Sequence, residues 1–291
     1  MKSYVAALRA LAESYRRAEA EIVKAYFDKR RSKKDHLHWL KAQAYKEHAA
    51  IHPLLKLLAA FYSRFDGEVD RREFEEIAEK LAEETKHARL VMDLLEAIGG
   101  KKLTPRDLVW LPEDKKLARV RARYSKTYAA LLHGSKTPSD KEMRRKDEEL
   151  ERAAVTLTEG GGGALYEVCV RLKKGAIERK IAAAFKEIHR DEVDHKNAGA
   201  RNLEQLVQRR EDFDRVAEII RQVSSQRLRM RNEQFGFPLS EAKLRELGKR
   251  CSPSGKRRSR VGRLTDGKKT LLRRFREDKK MLPRQKIEIP L

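Results

Sequence analysis

Two stretches of the chain carry the spacing Glu-x-x-His, Glu84 with His87 and Glu192 with His195. Three residues apart on a helix, a carboxylate and an imidazole share one face and reach one metal ion. Around the first pair, Phe74, Ile77, Leu81, Ala88, Val91, Leu95 and Ile98 form an apolar stripe whose central slot is filled by Glu84. Around the second, Ile177, Ile181, Phe185, Ile188, Gly199, Asn202 and Leu206 mark the inner face, with Glu192 and His195 at its centre. A carboxylate in a core slot is costly unless it is paired or bound to a metal. Single Glu-x-x-His matches arise by chance in Glu-rich helices, but two that each interrupt an apolar stripe at mid-helix seldom do. Two such pairs facing each other build a dinuclear site.

The elements that must position these residues are helices. Apolar residues at Val5, Leu8, Leu11, Tyr15, Ala18, Ile22 and Tyr26 predict an amphipathic helix over 3–29. A second helix is expected over His36–Phe65, turning at Asp66 and Gly67 into a third over Val69–Ile98, which Gly99 and Gly100 close. A Pro-containing irregular stretch leads to an inserted helix over 114–132, and 133–140 is a further break. The next helix runs to about Lys173, turns at Lys174 and Gly175, and returns over Ala176–Gln208. One more helix is expected over Arg210–Glu233. The fold class expected is all-α: a four-helix bundle over 36–208, an N-terminal docking helix within 1–35, a helical extension over 209–248 and a flexible basic arm over 249–291.

A dinuclear site needs one carboxylate from each of the two remaining bundle helices. On the second helix, Glu47 interrupts the stripe Leu37, Leu40, Ala44, Ile51, Leu54 and Leu58, and stands nearly as far from Gly67 as Glu84 does. On the fourth strip of sequence the choice lies between Glu159 and Glu167. With the turn at 174–175, Glu159 matches Glu192 in depth, whereas Glu167 sits roughly 12 Å nearer the turn at about 1.5 Å per residue. Glu159 is therefore the better ligand, with Glu167 as its replacement or supplement.

Gly160–Gly163 follow Glu159 directly, and glycine costs roughly 1 kcal/mol per residue against alanine inside a helix. Empty space at Gly162 and Gly163 beside the metal face suits a substrate, or else glycine permits close helix packing. Tyr166, on the same face, either lines that pocket or is an ordinary core aromatic. His48 and His52 read as surface or supporting residues, and Pro53 is expected to bend its helix.

The whole pattern, Glu, Glu-x-x-His, Glu, Glu-x-x-His on four helices, resembles the ferritin-like di-iron carboxylate proteins over roughly residues 36–208. The resemblance implies that Glu47, Glu84, His87, Glu159, Glu192 and His195 are metal ligands, that the metal is two iron ions with manganese or a mixed pair as variants, and that dioxygen is the co-substrate. Hard oxygen donors with two imidazoles also suit iron or manganese better than zinc. By the same resemblance Glu83 and Asp191, each preceding a Glu-x-x-His, hold the imidazoles in orientation, unless they are merely solvated. No four-cysteine rubredoxin-like module is present, and the length and basic arm fit an iron-storage shell poorly.

Charged residues make up 39% and aromatics 7% of the 291 residues, a helix-rich balance. The net charge of +23 attracts polyanions, RNA among them. Cys169 and Cys251 form no paired motif, so a cytoplasmic setting fits, and no stretch is long and apolar enough to span a bilayer. The leading functional expectation is an oxidase or oxygenase acting on a small-molecule or carrier-bound substrate, with electrons from a reductase; the catalytic residue is unknown. The alternatives are an RNA (tRNA) base hydroxylase of the same fold, and a nucleic-acid-binding or scaffold protein with a structural metal. Glu84→Ala and His195→Ala are each expected to lose metal, by elemental analysis, while far-ultraviolet circular dichroism stays close to that of the parent.

Overall fold

Continuous apolar stripes at helical spacing, with almost no period-two alternation, produce a chain without strands among the described residues. The structure is a computed structural model that describes residues 2–62, 71–124, 149–151, 153–158 and 162–251; within 192–202 it describes the backbone alone. The helices used below are α1 (Lys2–Phe27), α2 (Lys33–Tyr62), α3 (Arg71–Gly99), α4 (Pro112–Ala122), α5 (Gly162–Cys169), α6 (Ala176–Leu206), α7 (Arg210–Gln234) and α8 (Glu241–Cys251). None is long and apolar enough to cross a membrane.

α2 and α3 lie antiparallel. Lys33 Nζ donates to the Gly99 carbonyl at one end, and Glu47 meets Glu84 and His87 further along. α3 is antiparallel to α6 as well, since Lys180 Nζ reaches the Ala97 carbonyl and His87 reaches Asp191. Gly100 ends α3 with φ of +78°, a left-handed conformation that glycine adopts without a Cβ clash, and its N–H closes on the Glu96 carbonyl. One apolar core joins these helices: Trp39, Leu40 and Ala44 of α2, Val91 and Leu95 of α3, Leu165 and Tyr166 of α5, and Ile181, Phe185 and Ile188 of α6. The bundle is thus closed at the end where α2 begins and α3 finishes. Toward Tyr62 and Arg71 the stripe residues Ile51, Leu54, Leu58, Phe74, Ile77 and Leu81 are only half-buried.

α1 runs along both this core and a second one. Its far half, Val23, Tyr26 and Phe27, packs into the core just described, while Val5, Leu8, Tyr15, Ala18 and Ile22 join α7, α8, Leu150, Ala154 and Leu203 in the other. α7 lies against α1 and also sends Phe235 into the bundle core. The terminal helices are therefore walls of the molecule, sharing cores with the bundle.

Several boundaries differ from those expected. α4 begins at Pro112 rather than Asp114, because proline suits the first helical position, where no backbone N–H is needed. Its continuation toward 132 lies outside the described residues. α5 stops at Cys169, not Lys173; the N–H groups of Arg171 and Leu172 turn back three residues to Val168 and Cys169, tightening the chain into the link to α6. The expected basic arm does not start at 249: α8 continues to Cys251, whose buried side chain bonds to the Ser14 carbonyl while Arg250 pairs with Glu21. Residues 252–291 of that arm lie outside the described residues. Because Leu247 is fully buried in the second core, Leu247→Ala is expected to destabilise the chain by about 2–5 kcal/mol, read from the urea unfolding midpoint.

Candidate metal centre

Burying a carboxylate requires partners, and Glu47 is only 5% exposed. It finds three kinds. Gln43, one turn earlier on α2, donates its Nε2 to Glu47 Oε1 at 2.5 Å. The Tyr166 hydroxyl, from α5, donates to the same oxygen at 3.3 Å. From α3 come Glu84 and His87, which with Glu47 bring one donor atom each to within 4.8 Å of one another. Two carboxylates so placed repel unless a cation or a proton sits between them. This Glu, Glu, His cluster can hold a metal ion.

His87 is fully buried. Its Nε2 lies 3.1 Å from Asp191 Oδ2 of α6, which fixes the tautomer with the proton on Nε2 and the lone pair on Nδ1. Nδ1 is buried and has no hydrogen-bond partner among the described residues. An orphaned imidazole lone pair beside two carboxylates is the donor set a divalent cation needs, so the residues fit a metal. Asp191 also accepts from Lys86 Nζ at 2.7 Å. Burial opposes its ionisation, but the hydrogen bonds from Lys86 and His87 outweigh that and hold its carboxyl below the usual range. Loss of water, and then Arg231, push the neighbouring Lys46 ammonium down to about 7.

Of the six expected ligands, the structure brings Glu47, Glu84 and His87 together. Glu159 lies outside the described residues, as do the side chains of Glu192 and His195, although α6 carries both as helix. Glu167 turns away: its carboxylate is bonded to Arg16 of α1. Depth does not set it aside, because the adjacent Tyr166 reaches the cluster; direction around α5 does. Asp191 supports an imidazole as expected, but that of the opposing helix, His87. Glu83 is half-buried on α3. Among the described residues, nothing lies within 4 Å of a Cβ added at Gly163. Tyr166 is a core aromatic, one of its two expected roles, buried and tilted against Phe185, and its hydroxyl also donates to Glu47.

Sequence reading missed Gln43, Glu19, Gln234 and Arg231, four buried polar residues behind Glu47. Gln43 and Glu47 at i, i+4 was the legible signal; the partners on α1 and α7 came from segments treated as appendages. Cys169, buried in the same core, is not part of the cluster, and burial pushes its thiol up. No family model, curated protein or solved structure matches the chain.

Asp191→Asn keeps the shape of the side chain and removes its charge. It is expected to lower divalent-metal affinity about 10- to 100-fold, measured by calorimetric titration, with helix content unchanged.

Proposed function

We propose that this chain is a ferritin-like di-iron carboxylate protein that acts as an oxidase or oxygenase. Glu47, Glu84 and His87 would hold the iron together with Glu159, Glu192 and His195. The observation that carries the reading is the buried Nδ1 of His87, unpartnered among the described residues and beside two carboxylates. When bound, the iron pair supplies the one-electron chemistry and dioxygen reduction that side chains lack.

The chain's own residues do the remaining work. Asp191 keeps the His87 proton on Nε2. Trp39, Leu40, Leu95, Leu165 and Phe185 exclude water from one end of the centre. An organic substrate would enter beside Gly163 of α5, where no described residue lies within 4 Å of an added Cβ. Electrons come from a separate reductase, since the sequence carries no second redox motif.

A specific observation favours a phosphate-bearing substrate, and with it the RNA base hydroxylase reading. Between α1 and the α5–α6 link runs a groove of about 670 Å³. Most of its acids are engaged: Glu167 by Arg16, Glu21 by Arg250, and Glu178 by the Lys174 backbone N–H. Lys24, Arg171, Lys173 and Lys174 line the same groove, and none has an ion-pair partner among the described residues. Such cations bind polyanion phosphates with release of condensed counterions, which favours binding at low salt and makes it salt-dependent.

Anaerobic loading with ferrous iron followed by air tests the enzyme reading. Rapid dioxygen uptake, in step with ferrous oxidation, is the expected outcome; a ferrous protein inert to air is a structural metal protein instead. For the substrate, Arg171→Glu with Lys174→Glu is expected to weaken single-stranded RNA binding at least tenfold at low salt. Equal affinity of this variant and the parent removes the RNA reading.

A further inference from the structure

Behind Glu47 stands a continuous line of buried polar side chains reaching α1 and α7. Glu19 on α1 and Arg231 on α7 form an ion pair of 2.6 Å, and each is about 2% exposed. Arg231 also donates to Gln43 Oε1 at 3.4 Å and to Gln234 Oε1. Gln234 Nε2 donates to the same Gln43 oxygen at 3.0 Å and to the Trp39 carbonyl at 3.3 Å. Lys46 Nζ completes the set by donating to Gln234 Oε1 at 2.8 Å.

A guanidinium only donates, so its presence dictates which way each amide in this line points. Gln43 must turn its oxygen toward Arg231 and Gln234. Its Nε2 therefore faces Glu47 and cannot flip without setting donor against donor. Glu47 Oε1 then receives two hydrogen bonds, from Gln43 and Tyr166, which fill its lone pairs. Oε2 is the oxygen left to turn to the cluster. A buried ion pair is a weak source of stability, because desolvation cancels much of its attraction, so Glu19–Arg231 is better explained by the orientation it imposes.

We propose that Gln43 and Tyr166 are positioning residues that commit Glu47 to bind metal through Oε2 alone, and that the Glu19–Arg231 pair sets Gln43 from outside the four helices bearing the centre. This rests on the metal reading above. It makes α1 and α7 necessary to the site although neither supplies a ligand. A carboxylate freed of these bonds can swing to bind through both oxygens, changing the ion's coordination and affinity together.

The test uses the full chain and Co²⁺, whose visible d–d bands report coordination number. Tyr166→Phe and Gln43→Leu each remove one donor to Oε1, and Glu19→Met with Arg231→Met removes the ion pair without stranding a charge. All three are expected to shift the d–d bands and to weaken Co²⁺ binding about 10- to 100-fold. Gln43→Glu, which sets a carboxylate against Glu47, is expected to weaken it further. Tyr166→Phe is the most conservative change, so it decides the matter should another variant fail to fold. If the parent takes up Co²⁺ and Tyr166→Phe gives the same bands and affinity, positioning is overturned and the metal site stands. If the parent takes up no Co²⁺, the metal reading itself falls and the inference with it.

Discussion

Placing the carboxylate of Glu47 inside an apolar helical bundle imposes a desolvation cost that the surrounding structure has to meet. Much of the architecture can be traced to that requirement. Gln43 and Tyr166 satisfy one oxygen. Glu84 and His87 approach from α3 to make a site where a cation would neutralise both carboxylates. The ring of His87 then needs its own anchor, and α6 supplies Asp191, which Lys86 in turn keeps ionised. Four helices converge on one buried charge.

The two cores divide the labour. The bundle core around Trp39, Phe185 and Leu95 includes Tyr166, whose hydroxyl reaches Glu47. The second core, built by α1, α7 and α8, holds the helices that deliver Glu19 and Arg231 to the back of the site. Polar groups this deeply buried are retained only when their partners are complete. Here Arg231 satisfies three acceptors at once, and its rigid fork fixes the orientation of both glutamines. A lysine in its place would also only donate, but its single rotating ammonium lacks the planar fork that holds three acceptors at fixed angles.

On the opposite face of α5, Glu167 turns to Arg16 and the basic groove. Consecutive residues, Tyr166 and Glu167, thus serve two surfaces, as the roughly 100° step between helical neighbours demands. α5 is the wall between the buried cluster and an exposed, cation-lined groove. At its glycine start no described residue crowds Gly163.

Helix class, the stripe of α1, the parts of the α2, α3 and α6 stripes that enter the core, and the core slot of Glu47 were legible in sequence because periodicity of 3.6 records which face is buried; Glu84, expected in a core slot, is half-buried. That Glu47 and Glu84 come together at one depth was legible for the same reason, since rise per residue is constant along a helix, while the turn expected at Asp66 and Gly67 lies outside the described residues. Periodicity within one helix says nothing of which other helix its face will meet. That Asp191 holds His87 across the bundle, that Arg231 and Glu19 reach Gln43 from the terminal helices, and that Glu167 leaves the site for Arg16 were decided by packing between segments more than a hundred residues apart. The sequence by itself determined which residues had to be buried and at what spacing. Tertiary structure alone chose their partners, because hydrogen bonds and ion pairs depend on the direction of approach between helices, which no local pattern encodes.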